Sequence, residues 1–131
     1  MAKFTMRAKE FKKMADPVNR ESGHTKYVCY IQASSIPVEL ADWMKTNPRD
    51  QKMTTDVAKT IQKSLNENSD FHELNRGVVL SAESVEYDNK LERVTMELVN
   101  GDIHGNIDGG HTLKAIFSAQ EEKNLPDDRY V

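Results

Sequence analysis

The sequence has one cysteine, Cys29, together with four prolines, six glycines and one tryptophan in 131 residues. A single cysteine excludes an internal disulfide framework and a cysteine-rich zinc site. No apolar run approaches the roughly 20 residues that a membrane-spanning helix needs, which excludes an integral membrane protein built from such helices. Residues 1–13 are basic but lack the apolar stretch and cleavage site of a signal peptide. We therefore expect a soluble cytoplasmic domain that does not contact a membrane.

What is present is one small core and an uneven distribution of charge. Apolar residues make up 37% of the chain and charged residues 30%, which is enough apolar material for a single domain. Residues 1–65 carry 12 Lys/Arg and 7 Asp/Glu, a net charge of +5, whereas residues 66–131 carry 6 and 14, a net charge of −8. This asymmetry indicates a basic surface for phosphates on the N-terminal half. The alternative is that the charges only solvate helix faces of opposite sign.

Apolar spacing predicts a helix and a strand in the first third of the chain. The helix covers residues 3–14 and places Phe4, Ala8, Phe11 and Met14 near helical spacing. The strand covers residues 27–31, where β-branched and aromatic residues are frequent. A second, short helix is expected over residues 38–44, with Ser35 as a possible cap.

The remaining two thirds of the chain contain the most regular helical pattern. We expect a helix over residues 56–66, with Thr54 or Thr55 as its cap. Asn47-Pro48-Arg49, before it, is expected to be extended or to form a turn, because the residue before a proline avoids the helical region. Residues 77–87 and 91–99 are two strands joined by a hairpin turn. Residues 103–107 are rich in glycine, so the segment that leads into the glycine pair is either a strand or a turn. A last helix follows the glycine pair Gly109-Gly110.

The segment Asn100–Thr112 is the densest polar cluster, with two Asp, two His, two Asn, four Gly and one Thr. Glycines permit close approach of the backbone to a ligand, and a helix that starts near Thr112 directs free N–H groups toward an anion. We therefore expect a phosphate near Gly109, Gly110 and Thr112. Asp108 and His111 are the candidate acid–base or metal-binding pair. In the alternative interpretation, the glycines only form a tight turn and Asp108 caps the helix.

Two further groups are candidates with weaker signals. Arg76, in the run from Phe71 to Gly77, is a candidate phosphate ligand because guanidinium pairs with such oxygens, although it is equally consistent with a solvated loop. His104 and His111, with the nearby Asp residues, are an alternative set of metal ligands, but their spacing does not match that of structural zinc sites. The sequence therefore identifies no particular metal.

Walker, GxGxxG, GxSxG and HExxH motifs are absent from the sequence. Cys29, in an apolar strand, is expected to be an inert thiol.

The pieces occur in a distinctive order: Asn47-Pro48-Arg49, an amphipathic helix ending near Leu65, Asn75-Arg76-Gly77, a hairpin, and Asp108-Gly109-Gly110-His111-Thr112 opening a helix. This order resembles the N-terminal part of the AIPR (abortive infection phage resistance) family over residues 45–120. It is more distantly similar to DGQHR domains of DndB-type proteins and to ParB and sulfiredoxin.

The resemblance implies an α+β fold of the ParB/sulfiredoxin type, a small mixed sheet with flanking helices. Residues 45–131 would be its core, shortened at the C-terminus relative to longer AIPR proteins, and residues 1–44 would add an N-terminal helix and strand. Gly109, Gly110, His111 and Thr112 would line a nucleotide-phosphate pocket, with Arg49 as a supporting basic residue. Thr112 stands where ParB and sulfiredoxin have arginine, and Gly110 stands where sulfiredoxin has its cysteine, which argues against sulfiredoxin chemistry.

Two functions follow from these observations. The first is a phage-defence protein, or a piece of one, that binds a nucleotide or a nucleic-acid phosphate, with or without Mg²⁺. When complete, such a protein would act as a nuclease or a nucleotide hydrolase. The second is a non-catalytic regulatory module that contacts DNA or a partner protein through its basic N-terminal half, with a homo-oligomer as a further expectation.

Overall fold

A computed structural model of the chain describes residues 1–47 and 56–131. Its strands are β1 (Ala2–Ala15), β2 (Thr25–Ile31), β3 (Val79–Ser81), β4 (Ser84–Asp88), β5 (Arg93–Leu98) and β6 (Gly105–Asp108). Its α-helices are α1 (Asp56–Glu67), α2 (Phe71–Leu74) and α3 (Gly110–Glu121). Short 3₁₀ helices lie at Arg20–Ser22, Ala33–Ser35 and Val38–Trp43.

The strands form a four-stranded sheet in the order β2-β1-β5-β4 and a two-stranded sheet of β3 and β6. Every strand pair in the described part of the chain is antiparallel. The α+β class is therefore confirmed, although the sheets are antiparallel where the resemblance implies a mixed sheet.

The N-terminal segment is a strand, so the helix predicted for residues 3–14 is wrong. The inner face of β1 is formed by Phe4, Met6 and Ala8, at 5%, 3% and 0% exposure, and their spacing of two is that of a strand. The first half of β1 pairs with β5 and the second half with β2. One long strand thus joins the two parts of the larger sheet.

A β-bulge in β1 explains why the segment resembles a helix in sequence. The register with β2 shifts between Lys9 and Lys12, and Glu10 adopts a φ of 56°. The extra residue turns Phe11 onto the inner face, as bulges commonly re-aim a side chain. There its ring stacks with Tyr27 and Tyr87, at centroid distances of 5.3 and 4.6 Å.

The core lies between the inner face of the larger sheet and α3. Met96 and Leu98 of β5 share one buried cluster with Leu113 and Ile116 of α3. The helix α1 packs beside α3 and contributes Leu65, which is fully buried. This packing fixes the direction of α3 and therefore the position of its first turn.

The other predicted elements are partly confirmed. The strand at residues 27–31 and the helix at 56–66 are present, and the cap residues proposed for that helix lie outside the described residues. The segment expected as a helix over 38–44 is a 3₁₀ helix preceded by Pro37. Ser35 does not cap it, because its hydroxyl donates to the Gln32 carbonyl at 2.7 Å.

One prediction on the strands needs correction. The strand predicted over residues 77–87 is divided into β3 and β4, which belong to different sheets. In the glycine-rich segment before α3, where the sequence leaves a strand or a turn open, the structure has the strand β6. Gly105 has a φ of 125°, and a Cβ there would lie 2.2 Å from the Trp43 carbonyl oxygen. The glycine thus permits the close approach of the two backbones.

The last residues of the sequence also pair with the sheet. Val131 and Ile31 exchange backbone hydrogen bonds of 2.7 and 2.9 Å along the outer edge of β2. The buried Arg129 donates from Nε to the Leu65 carbonyl at 2.7 Å, which ties the end of α1 to this edge. No helix among the described residues has the length and apolar character to cross a membrane.

Candidate functional site

The turn between β6 and α3 depends on Gly109. This residue has φ 78° and ψ 26°, in the left-handed region that glycine tolerates best. A Cβ at Gly109 would lie 2.5 Å from the Gly77 carbonyl oxygen and 2.9 Å from the Val78 Cα. The absence of a side chain therefore lets the loop before β3 lie directly against the start of α3.

The first turn of α3 has no capping side chain. The N–H of Leu113 donates to the Gly109 carbonyl at 3.1 Å, so helical hydrogen bonding begins there. The N–H groups of Gly110, His111 and Thr112 have no hydrogen-bond acceptor within the described residues. Such free N–H groups, with the positive end of the helix dipole, form a favourable environment for an anion.

A side-chain hydrogen bond joins the loop before β3 to this turn. Asn75 donates from Nδ2 to the Thr112 Oγ1 at 2.9 Å, and its Oδ1 accepts from the Gly77 N–H at 2.8 Å. Arg76, between these two residues, is exposed and has no hydrogen bond or ion pair within the described residues. The structure therefore brings Arg76 and the Gly109–Thr112 turn to neighbouring positions, as the phosphate hypothesis requires.

Asp108 and His111 lie on either side of the glycine pair. Asp108 is exposed, and its Oδ1 accepts the Gly109 N–H at 2.9 Å, so one of its oxygens already stabilises the turn. The Nε2 atom of His111 is buried and has no hydrogen-bond partner among residues 1–47 and 56–131. Both residues belong to the same turn as the free N–H groups, and their proposed catalytic role remains a prediction.

The side chains of Asn47 and Asn106 form a buried hydrogen bond next to the turn, and the sequence gives no sign of the role of Asn106. Asn106, with 0% exposure, accepts from Asn47 Nδ2 at 2.8 Å and donates from its own Nδ2 to the Asp108 carbonyl at 2.7 Å. Thr46 donates to the Asn106 carbonyl at 2.6 Å. Asn47, the first residue of the Asn-Pro-Arg motif, is thereby anchored to β6, whereas the predicted Arg49 lies outside the described residues.

The metal interpretation of this region has no support in the structure. His104 is buried, and its Nδ1 accepts the N–H groups of Val99 and Asn100, both at 3.0 Å, so it holds the turn after β5. Asp102 pairs with Lys45. Residues 1–47 and 56–131 contain no group of three or more His, Cys, Asp or Glu side chains suited to a metal ion.

A groove between α1 and α2 opens beside the turn. Its volume is about 370 Å³, and it is lined by apolar and polar side chains that include Ile61, Lys63, Phe71, Leu74 and Asn75. Asn75 therefore takes part in both the groove wall and the hydrogen bond to Thr112.

Comparison with known families identifies the chain. The family described as AIPR protein matches residues 44–131, more than half of the sequence. The chain belongs to the AIPR family. This membership supports a role related to abortive infection and phage defence.

The AIPR match includes α1–α3 and β3–β6, and thus the whole candidate site. It leaves out β1 and β2, although β1 pairs with β5 in the same sheet. No curated protein matches the chain. No solved structure matches it either. The likeness to ParB, sulfiredoxin and DGQHR domains therefore stays a prediction.

Proposed function

We propose that this AIPR protein binds a phosphate group of a nucleotide or of nucleic acid at the start of α3. The free N–H groups of Gly110, His111 and Thr112 carry the proposal, because an uncapped helix start is a favourable site for an anion. The hydrogen bond from Asn75 to Thr112 supports it, because it places Arg76 beside the same turn.

The charges around the turn suggest how the phosphate is held. Arg76 supplies a guanidinium that pairs with phosphate oxygens through two parallel hydrogen bonds. The exposed Asp108 adds a negative charge beside the turn; if a Mg²⁺ ion accompanied the phosphate, Asp108 would be the residue to hold it, and the ion would offset the repulsion between the two anions. If the complete protein cleaves nucleic acid or hydrolyses a nucleotide, Asp108 and His111 are the residues that we propose to transfer the proton.

The proposal is tested by measuring the melting temperature with nucleoside mono-, di- and triphosphates and short oligonucleotides, with and without Mg²⁺. A ligand at a hundred times its dissociation constant stabilises the fold by about 2.7 kcal/mol, which is readily measured in a small domain. We expect at least one of these compounds to raise the melting temperature. An unchanged melting temperature with all of them contradicts the proposal.

Paired variants locate the binding site. Arg76→Glu reverses a charge beside the turn, whereas Arg20→Glu makes the same change at an exposed residue in a separate 3₁₀ helix. We expect the stabilisation by ligand to disappear in Arg76→Glu and to persist in Arg20→Glu. Equal stabilisation of both variants would place the ligand elsewhere.

A further inference from the structure

The outer face of the larger sheet, opposite the core and α3, differs in charge from one side to the other. In β1 and β2 the outward positions carry Arg7, Lys9, Lys12 and Lys26, all exposed. In β4 and β5 the outward positions include the acidic residues Glu86, Asp88 and Glu97. We call the half formed by Arg7, Lys9, Lys12, Lys26 and Tyr30 the basic face.

The cations of the basic face are poorly neutralised by the protein itself. Glu10, at the bulge, lies 4.0 Å from Lys12. Arg7, Lys9 and Lys26 form no ion pair within the described residues. Arg7 is also directly opposite Arg93 of β5, so its own cross-strand neighbour on that side is a cation, whereas the acidic Asp88 lies opposite Arg93 on the far side of β5.

The basic face also exposes an aromatic ring. Tyr30 is the cross-strand partner of Lys9, and it keeps 44% exposure although its ring packs edge-on against His72 at 5.3 Å. The neighbouring Val28 is 48% exposed. A sheet face that combines cations with an exposed aromatic ring suits unpaired bases, which stack on the ring while their phosphates contact the cations.

We propose that the basic face binds single-stranded nucleic acid. The Cα atoms of Arg7 and Lys9 lie about 7 Å apart along β1, so an extended polyanion that follows the strand can contact both side chains. The exposed ring of Tyr30 favours a single strand over a duplex, because bases inside a duplex are already stacked and cannot reach it. The proposal does not rest on the phosphate site at α3, which belongs to a different element on the inner side of the sheet.

The test measures fluorescence anisotropy of a labelled oligothymidylate of about 15 nucleotides, at salt concentrations between about 50 and 200 mM. The variant Lys9→Gln/Lys12→Gln/Lys26→Gln removes three charges from the basic face. Its matched control, Lys59→Gln/Lys90→Gln/Lys123→Gln, removes three exposed charges elsewhere. Circular dichroism confirms that each variant is folded.

We expect the basic-face variant to bind at least about tenfold more weakly than the control, with a salt slope smaller by about 2. Tyr30→Leu is expected to weaken binding of the single strand by about tenfold, while Val28→Leu has little effect. Equal affinities of the basic-face variant and its control overturn the proposal. So does the absence of saturable binding by wild-type protein up to about 100 μM. Equal or tighter binding of a duplex, or of an oligoglutamate peptide, would also contradict it.

Discussion

Asn75 donates a hydrogen bond to the Thr112 hydroxyl at 2.9 Å, and this contact joins two segments 37 residues apart in sequence. The loop before β3 carries the exposed Arg76, and the first turn of α3 carries the free N–H groups. Neither segment alone brings a cation and an uncapped helix start together. The hydrogen bond therefore positions two parts of one candidate phosphate site.

Removing this hydrogen bond should weaken phosphate binding more than it weakens the fold. Asn75→Ala is expected to lower the free energy of unfolding by about 1 kcal/mol and to raise the dissociation constant for the nucleotide by about tenfold. Calorimetric titration measures the affinity, and urea unfolding measures the stability. Asn68→Ala is the control, because Asn68 also donates from Nδ2 to a hydroxyl, that of Ser64 at 3.1 Å. Equal losses of affinity in both variants would show that Asn75 has no specific role.

A methyl group at Gly109 should separate the loop from the helix start. Both Gly109 and Gly23 have a positive φ, of 78° and 79°, but a Cβ at Gly23 meets nothing within 4 Å. We therefore expect Gly23→Ala to lower the free energy of unfolding by about 1 kcal/mol, which is the cost of the backbone strain alone. Gly109→Ala adds the steric contact with the Gly77 carbonyl, so we expect it to lower the free energy of unfolding, measured in urea, by about 2–4 kcal/mol. Similar losses in the two variants would mean that the loop shifts at no cost.

Helices and strands are predicted correctly where the apolar residues follow only one spacing, that of a helix or that of a strand. The prediction fails where the same apolar residues fit both spacings. The helix α1 is predicted almost to the residue, because its apolar positions follow one face through Ile61 and Leu65. In β1 the alternation of Phe4, Met6 and Ala8 is a strand pattern. The bulge moves Phe11 out of that alternation, so that Phe4, Ala8 and Phe11 also fit a helix. A bulge depends on pairing with a distant strand, which local periodicity does not contain.

For the site, local chemistry predicts the turn but not its support. A helix at the glycine pair is confirmed, although α3 begins at Gly110, two residues before the predicted start near Thr112, with Gly109 as its N-cap. The contact between Asn106 and Asn47 spans 59 residues, and nothing in the spacing of either residue indicates it. The local alternation even points the other way, because the apolar Ile103 and Ile107 are exposed at 58% and 44% while the polar Asn106 between them is buried. A buried amide of this kind requires hydrogen-bond partners, and they come from distant segments.

Replacing Asn106 by an apolar side chain of similar size should destabilise the protein strongly. Asn106→Leu removes two donors and one acceptor from a fully buried position, and it leaves the Asp108 carbonyl without that donor. We expect a loss of about 3 kcal/mol in the free energy of unfolding, measured in urea. Asn89→Leu, at an exposed turn position, serves as the control. A loss below about 1 kcal/mol would show that the amide network is dispensable.

The thiol of Cys29 should react slowly in the folded protein. Burial raises the pKa of Cys29 above its ordinary value, because the thiolate is the charged form and loses solvation on the inner side of β2. At pH 8 we therefore expect iodoacetamide to modify native protein at least about tenfold more slowly than protein in urea. At a pH above the pKa of the unfolded thiol, the rate of modification in urea no longer increases with pH. The rate for the native protein should still increase there, because its pKa is higher. Equal rates in both states would contradict the burial of this side chain.

The ion pair between Lys45 and Asp102 should give stability that depends on pH in one direction. Lys45 lowers the pKa of Asp102 below its ordinary value of 3.8, through a hydrogen bond and charge attraction. The folded state therefore favours the ionised carboxylate. Its stabilisation is complete above the unfolded pKa and is lost as the pH falls through the lowered folded pKa.

We therefore expect Asp102→Asn to lower the melting temperature at pH 7, with an effect that decreases as the pH falls through the unfolded pKa and then the lowered folded pKa of Asp102. The effect at pH 7 should be small and should decrease with salt, because both side chains are exposed. Asp42→Asn is the control, since Asp42 is exposed and forms no ion pair within the described residues. In the Lys45→Gln background the Asp102→Asn effect should vanish at every pH. An effect of Asp102→Asn that does not decrease as the pH falls, or that is equal for Asp42→Asn, would show that the pair does not contribute.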